Sequence, residues 1–252
     1  MDNTKAWVFV SHSSSDIAKV REVRNYLEEC GAAPLLFHLV SLTEPEEFWP
    51  LIEREIAARN FFLLCDSKNA RRSEWVSRER EAIRHYSATK PIRVGRTDLD
   101  LPNIDYAELQ SFIKNMKVFF IGDPTFPVDS VLSSFGFQMI GGVNFSTSGL
   151  DRLGNGSQMS DDMLDTLHYS VSKGWVLVAL TPDLLDSDRF WMELPDPSEN
   201  RVMFIVPEEL KARSVRRSIP SDRLVWIVDT TENALREAAR RMLIGGPDKN
   251  IV

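Results

Sequence analysis

Cysteine is scarce in this chain: its 252 residues hold two, Cys30 and Cys65. That excludes a disulfide framework and a cysteine-built metal site. Histidine is almost as rare, at four. His85 and His168 read as helical, with no partner at metal-ligand spacing. No apolar run approaches the length that crosses a bilayer, and the opening MDNTKAW lacks the apolar core of a secretory signal. Positive charge is in deficit, with a net charge of -7 and a pI near 5.2. Such a surface is unsuited to general binding of nucleic acid or anionic lipid. The glycines at 141, 142, 149, 154 and 156 make neither a dinucleotide fingerprint nor a Walker loop, so they read as a flexible connection. The expectation is a cytoplasmic protein with no bound metal or cofactor, no nucleic-acid partner and no membrane attachment.

What is present is ordinary globular material, 43% hydrophobic and 27% charged, ample for one large or two small cores. Trp7 to Val10 forms a short apolar strand ending in SHSSSD. Ser13 or Ser14 can cap the next helix, with Asp16 in its first turn. Ile17, Val20, Val23 and Leu27 make the apolar stripe of that helix, which stops at Gly31. A second strand is expected at 34–40, followed by a capping box at Thr43 and Glu46 and a helix buried through Phe48, Leu51, Ile52 and Ile56. Strand 61–65, the helix after it, strand 91–95 and helix 105–115 complete a first half. A second half restarts at 117–123, with a helix over DSVLSSFG, strands at 137–142, 175–182, 201–207 and 223–229, a loop over 142–160, a helix capped by Ser160, and a closing helix. Strand alternating with helix at this spacing predicts an α/β fold with doubly wound parallel sheets, two similar halves in tandem at 1–115 and 116–252.

The most informative stretch is 61–81, FFLLCDSKNARRSEWVSRERE. Phe61 to Cys65 reads as a buried strand, 66–69 as a loop, and Ser73 as the cap of a new helix. On that helix Trp75 and Glu79 stand four residues apart, placing an indole and a carboxylate on one face. Open α/β sheets bind ligands past the carboxyl ends of their strands, where this pair would lie. The alternative is plain packing for Trp75 and a solvated face for Glu79. The serines at 11, 13 and 14 offer a cradle for phosphate or ribose at a helix start, or simple capping. His12 and Asp16 share that loop, although adjacency in sequence makes no triad. Arg71 and Arg72 can meet a pyrophosphate or only solvent.

The halves align in pattern, with "LIEREIAARNFFLLCDSKNARRSEWVSRE" beside "MLDTLHYSVSKGWVLVALTPDLLDSDRFWMEL". Identities are few. Nothing in IGDPTFPVD resembles SHSSSD, and Pro195 stands four residues after Trp191, where Trp75 has Glu79. The second half repeats the architecture and lacks the site.

With these pieces in order, the first half resembles a bacterial TIR (Toll/interleukin-1 receptor) domain. The matching segments are "WVFVSHSSSD", "FFLLCDSKNARRSEW" and "WVSRE", the last fitting the W-x-x-x-E of NAD-cleaving members. The second half is TIR-like and degenerate. The resemblance implies a flavodoxin-like sheet of strand order 2-1-3-4-5, NAD as substrate with Glu79 catalytic, and substrate contacts from Trp75, Ser11, His12, Ser13, Ser14 and Asp16. It also implies a mobile loop from Phe37 and Leu39 to Pro45 that closes on substrate or on a neighbouring protomer, the alternative being ordinary packing of a strand end, together with self-association through TIR surfaces and a separate effector that senses the product in anti-phage defence.

The chemistry can be followed independently. Cleaving the nicotinamide–ribose bond passes through an oxocarbenium-like state, as glycoside hydrolysis does. Nicotinamide is cationic in NAD and leaves neutral, so no acid is needed. One carboxylate suffices to stabilise C1′ or to attack it. Three functions are therefore carried forward: an NAD glycohydrolase or ADP-ribose cyclase, a non-catalytic TIR interaction module, and an enzyme like the nucleoside deoxyribosyltransferases.

Overall fold

The computed structural model describes residues 5–37, 48–144, 161–197, 200–214 and 217–245. The chain divides into two compact units, the first beginning at Lys5 and ending at Ile113, the second beginning at Lys114. The first unit runs β1 (Ala6–Ser11), α1 (Ile17–Glu29), β2 (Ala32–Leu35), α2 (Trp49–Ala58), β3 (Phe61–Asp66), α3 (Glu74–Ser87), β4 (Arg93–Asp98) and α4 (Tyr106–Lys114). Its four strands are parallel in the order β2-β1-β3-β4. β3 is apolar and almost wholly buried because helices cover both faces of a parallel sheet. Phe9, Ile52, Ile56, Phe62, Ala82 and Ile83 form the core cluster under α2 and α3.

Three boundaries differ from the sequence reading. β2 occupies Ala32–Leu35 instead of 34–40, because its pairing with β1 begins at Ala6 and Ala32, directly after the turn. Gly31 makes that turn at φ 87, where a Cβ is unfavourable. Pro34 is tolerated since β2 is the sheet edge. α2 begins at Trp49 with Pro50 in its first turn and no side-chain cap; the capping box at Thr43 and Glu46 lies outside the described residues, as do His38 and Leu39. β4 spans Arg93–Asp98 instead of 91–95. Its second half is polar, so apolarity alone places the strand too early. The sheet has four strands among the described residues, not the five the resemblance implies, since the next strand in the chain belongs to the other unit.

The second unit runs β5 (Lys117–Gly122), α5 (Val128–Ser134), β6 (Gln138–Asn144), α6 (Asp161–Lys173), β7 (Trp175–Ala179), α7 (Pro182–Asp186), α8 (Asp188–Glu193), β8 (Val202–Pro207), α9 (Lys211–Ser214), β9 (Leu224–Ile227) and α10 (Thr231–Ile244). Its five parallel strands take the order β6-β5-β7-β8-β9, which is 2-1-3-4-5 counted from β5. β6 reaches Asn144, so the first residues of the expected 142–160 loop are strand. Residues 145–160, with the proposed cap Ser160, lie outside the described residues. Thr181 and Ser187 cap α7 and α8 in succession. α8 stops at Glu193, and Leu194 is extended ahead of Pro195, as the residue before a proline prefers. No helix among the described residues is long and apolar enough to cross a membrane.

One close approach fixes the outer flank of the first sheet. A Cβ placed on Gly95 of β4 would sit 2.3 Å from Cδ2 of Phe112 on α4, a buried ring. Gly95→Ala is therefore expected to cost about 1–3 kcal/mol through overpacking. Denaturant unfolding measures this, and Gly95→Ala combined with Phe112→Leu should recover part of the loss.

Candidate active site

α3 begins where its sequence says. The Ser73 hydroxyl accepts from the Val76 amide at 3.4 Å, and Glu74 occupies the first turn. Val76, Glu79 and Ile83 then repeat at helical spacing on the buried stripe. Glu79 is thus an inward residue, only 6% exposed, and not part of a solvated face. Its Oε2 accepts a 2.6 Å hydrogen bond from the hydroxyl of Ser11, the last residue of β1. Burial pushes the Glu79 carboxyl up to about 7, and the Ser11 bond opposes that rise without cancelling it. A carboxyl poised near neutrality, in reach of the carboxyl end of the sheet, has the character of a functional group.

Trp75 sits one turn ahead, half-buried against the Phe9 and Phe62 cluster. Its ring lies 6.0 Å from that of Trp49 at a 45° tilt. The Arg78 guanidinium covers both indoles, 4.2 Å from the Trp49 centroid and 4.9 Å from that of Trp75. The structure therefore supports a packing role for Trp75, in a group that includes two residues the sequence did not point to.

The serine-rich loop separates into distinct tasks. Ser13 accepts from the Ser15 amide at 3.3 Å and caps the short 3-10 turn Ser14–Asp16 that precedes α1. Ser14 is exposed. His12 is buried, with Nδ1 donating to the Val10 carbonyl at 3.2 Å. Asp16 occupies the N-cap position of α1 without capping it. Its carboxylate instead accepts from Ser67 Oγ at 2.5 Å and Asn69 Nδ2 at 2.7 Å, which ties this loop to the one after β3. Phe37 packs on Phe9 with centroids 6.0 Å apart. Of the proposed substrate contacts, Ser11 bonds Glu79, Ser13 and Asp16 hold loops, Phe37 and Trp75 pack against the core, and Leu39 lies outside the described residues.

Asp66, at the end of β3, accepts from Arg71 at 2.8 Å and from Arg96. Arg71 also reaches Asp100 at 2.5 Å, and the Lys19 ammonium donates to the carbonyls of Leu99 and Leu101 at 2.7 and 2.6 Å. These ties span three loops and leave no local sequence signal. A groove of about 390 Å3 lies on the other side of α3, bounded by Arg71, Ser77, Arg80, Glu81 and Arg84; Glu79 does not line it. Among the described residues no cluster of three or more His, Cys, Asp or Glu side chains is placed to hold a metal ion.

No curated protein matches the chain. Among solved structures, a LacI transcriptional regulator from Lactobacillus brevis is 14% identical, with a TM-score of 0.27 over 94% of this chain and 91% of that one. A putative LacI-family repressor from Corynebacterium glutamicum is 11% identical, with a TM-score of 0.29 over 94% and 88%. A mutant uroporphyrinogen III synthase from Thermus thermophilus is 13% identical, with a TM-score of 0.22 over 94% and 98%. Scores that low bear on neither fold nor function. Residues 8–116 match the family model described as the TIR domain, and that part of the chain is a TIR domain.

Proposed function

We propose that the chain cleaves the nicotinamide–ribose bond of NAD, as a glycohydrolase or an ADP-ribose cyclase, with Glu79 as the catalytic carboxylate. The family match supports a signalling or NAD-cleaving role in general terms. The observation that carries the specific reading is the Glu79 carboxyl, buried at the end of β1 and raised to about 7. Ser11 holds Oε2, and Oε1 accepts no bond among the described residues. That oxygen is the one to face C1′ of the ribose. The C–N bond breaks with its electron pair going to the nicotinamide nitrogen, which becomes neutral. The ionised carboxylate stabilises the cation left at C1′ until water or the adenine of the same molecule adds there. No metal or cofactor takes part in this scheme.

Self-association completes the proposal: a second protomer covers the part of the dinucleotide that a single sheet end leaves open. The product then acts as a messenger to a separate effector, in a bacterial anti-phage response carried out in the cytoplasm. The half from 116 to 252 keeps the strand order without the site, and its proposed role is catalytically silent. The packing of Trp75 into the core favours a second reading, an interaction module that signals by assembly alone. Chromatography of NAD incubated with the protein separates the two, and intact NAD under conditions of assembly would leave the module.

Glu79→Gln removes charge while keeping shape. Turnover should fall by roughly 10²-fold or more with the fold intact, as is usual for losing a transition-state electrostatic partner; a folded, active variant would overturn the assignment. Because catalysis needs the ionised form, wild-type turnover should rise as pH climbs through about 7. Stability runs the other way. The unfolded carboxyl titrates near the ordinary 4.5 and the folded one at about 7, so the benefit of burying it neutral is complete below 4.5 and lost as pH rises through 7. Glu79→Gln should thus melt close to wild type at about pH 5 and above it at about pH 8. Turnover should also increase faster than linearly with protein concentration; strict proportionality over dilution would count against an assembled site.

A further inference from the structure

The solvent side of α3 carries a feature that NAD cleavage does not use. Arg80 and Arg84 stand one helical turn apart, exposed, and line the groove of about 390 Å3 with Arg71 and the Ser77 hydroxyl. Like charges at this spacing repel and weaken a helix. Neither guanidinium has a hydrogen bond or ion pair among the described residues to offset that repulsion. Arg71 differs: Asp66 and Asp100 hold it at 2.8 and 2.5 Å, so it is fixed in place with further N–H donors to spare. The lining itself thus holds three guanidiniums and one carboxylate, Glu81, and the charge of Arg71 is already shared with Asp66 and Asp100, which leaves Arg80 and Arg84 to supply the uncompensated charge. Most of the lining is charged, which does not suit an apolar ligand. Planar guanidinium forks match phosphate oxygens in pairs, and a serine hydroxyl adds a neutral donor.

We propose that this groove binds a small anion of the oligophosphate class, gripped by Arg80 and Arg84, with Arg71 closing one end and Ser77 donating to a phosphate oxygen. The phosphates come either from free inorganic pyrophosphate or from a nucleotide. Since Glu79 faces inward from the same helix and does not line the groove, the site stands apart from the proposed catalytic carboxylate.

The test is isothermal titration of the full chain with inorganic pyrophosphate, with ADP and orthophosphate in parallel. Wild type should bind pyrophosphate more tightly than orthophosphate, since two phosphates engage both forks. Arg80→Gln with Arg84→Gln should weaken pyrophosphate binding by at least about tenfold while melting no lower than wild type, since the repulsion along the helix is removed. Should that pair of changes fail to fold, Arg80→Lys with Arg84→Lys keeps the charge, loses the forks and should still weaken binding. Glu81→Gln should tighten it, because the carboxylate that lines the groove is removed. Tighter binding of ADP than of pyrophosphate assigns the site to a nucleotide; equal binding assigns it to the free anion. No binding of pyrophosphate or ADP to wild type at millimolar concentration overturns the proposal, as does unaltered affinity in the arginine variants. Glu79→Gln should leave the affinity as it is, so a failure of the NAD reading would be seen separately.

Discussion

A carboxyl placed inside an apolar helix stripe is tolerated only with a donor to meet it, and the Ser11 hydroxyl is that donor for Glu79. The bond joins the last residue of β1 to the middle of α3, so it depends on the register of β1 against β3 and on where α3 starts. Each is fixed by something local. Ser11 lies opposite Leu64 in the parallel pairing, and Ser73 sets the first turn of the helix. The Asp16 contacts to Ser67 and Asn69 and the Arg71 contacts to Asp66 and Asp100 then brace the loops around it. Removing the apolar surroundings would return the carboxyl toward its ordinary titration, and with it the property that makes Glu79 notable.

The second unit repeats the parallel strand–helix architecture. Its sheet has the complete 2-1-3-4-5 order, and Trp191, the counterpart of Trp75, is likewise half-buried against its core cluster. It stacks on Phe204 at 5.6 Å and donates its indole N–H to the Leu185 carbonyl. Glu193 meets His168 at the surface, 3.6 Å away, instead of a strand-end hydroxyl. Among the described residues of this unit a strand–helix frame therefore persists without a buried carboxyl, which agrees with the general rule that function resides in the site and not in the fold.

The legible parts of the molecule were those written in short stretches of sequence. The strand at 61, the cap at Ser73 and the stripe of α1 follow from apolar period and capping chemistry, and all stand. The shortened helix before Pro195 was legible because proline restricts its predecessor. Glu79 was legible as a position on a helix face, but its inward direction was not, because that depends on which side of α3 meets the sheet. Asp16 looked like a first-turn residue of α1 and proved to be a clasp to a loop about fifty residues away in sequence, a contact with no local signature. Trp49 gave no sign of meeting Trp75, and the edge strand β2 was misplaced since main-chain pairing, not side-chain apolarity, sets its ends.

The two indoles of Trp49 and Trp75 have an optical consequence. Chromophores this close and inclined at 45° couple their excited states, so the pair should imprint a bisignate band on the ultraviolet dichroism of the first unit. The sign and strength of that band depend on the angle between the rings, and hence on how α2 and α3 lie against each other. Arg78, lodged over both faces, makes the arrangement sensitive to any shift of the helix that also carries Glu79. The molecule thus contains its own spectroscopic gauge of the helix pair beside the carboxyl, readable without a label.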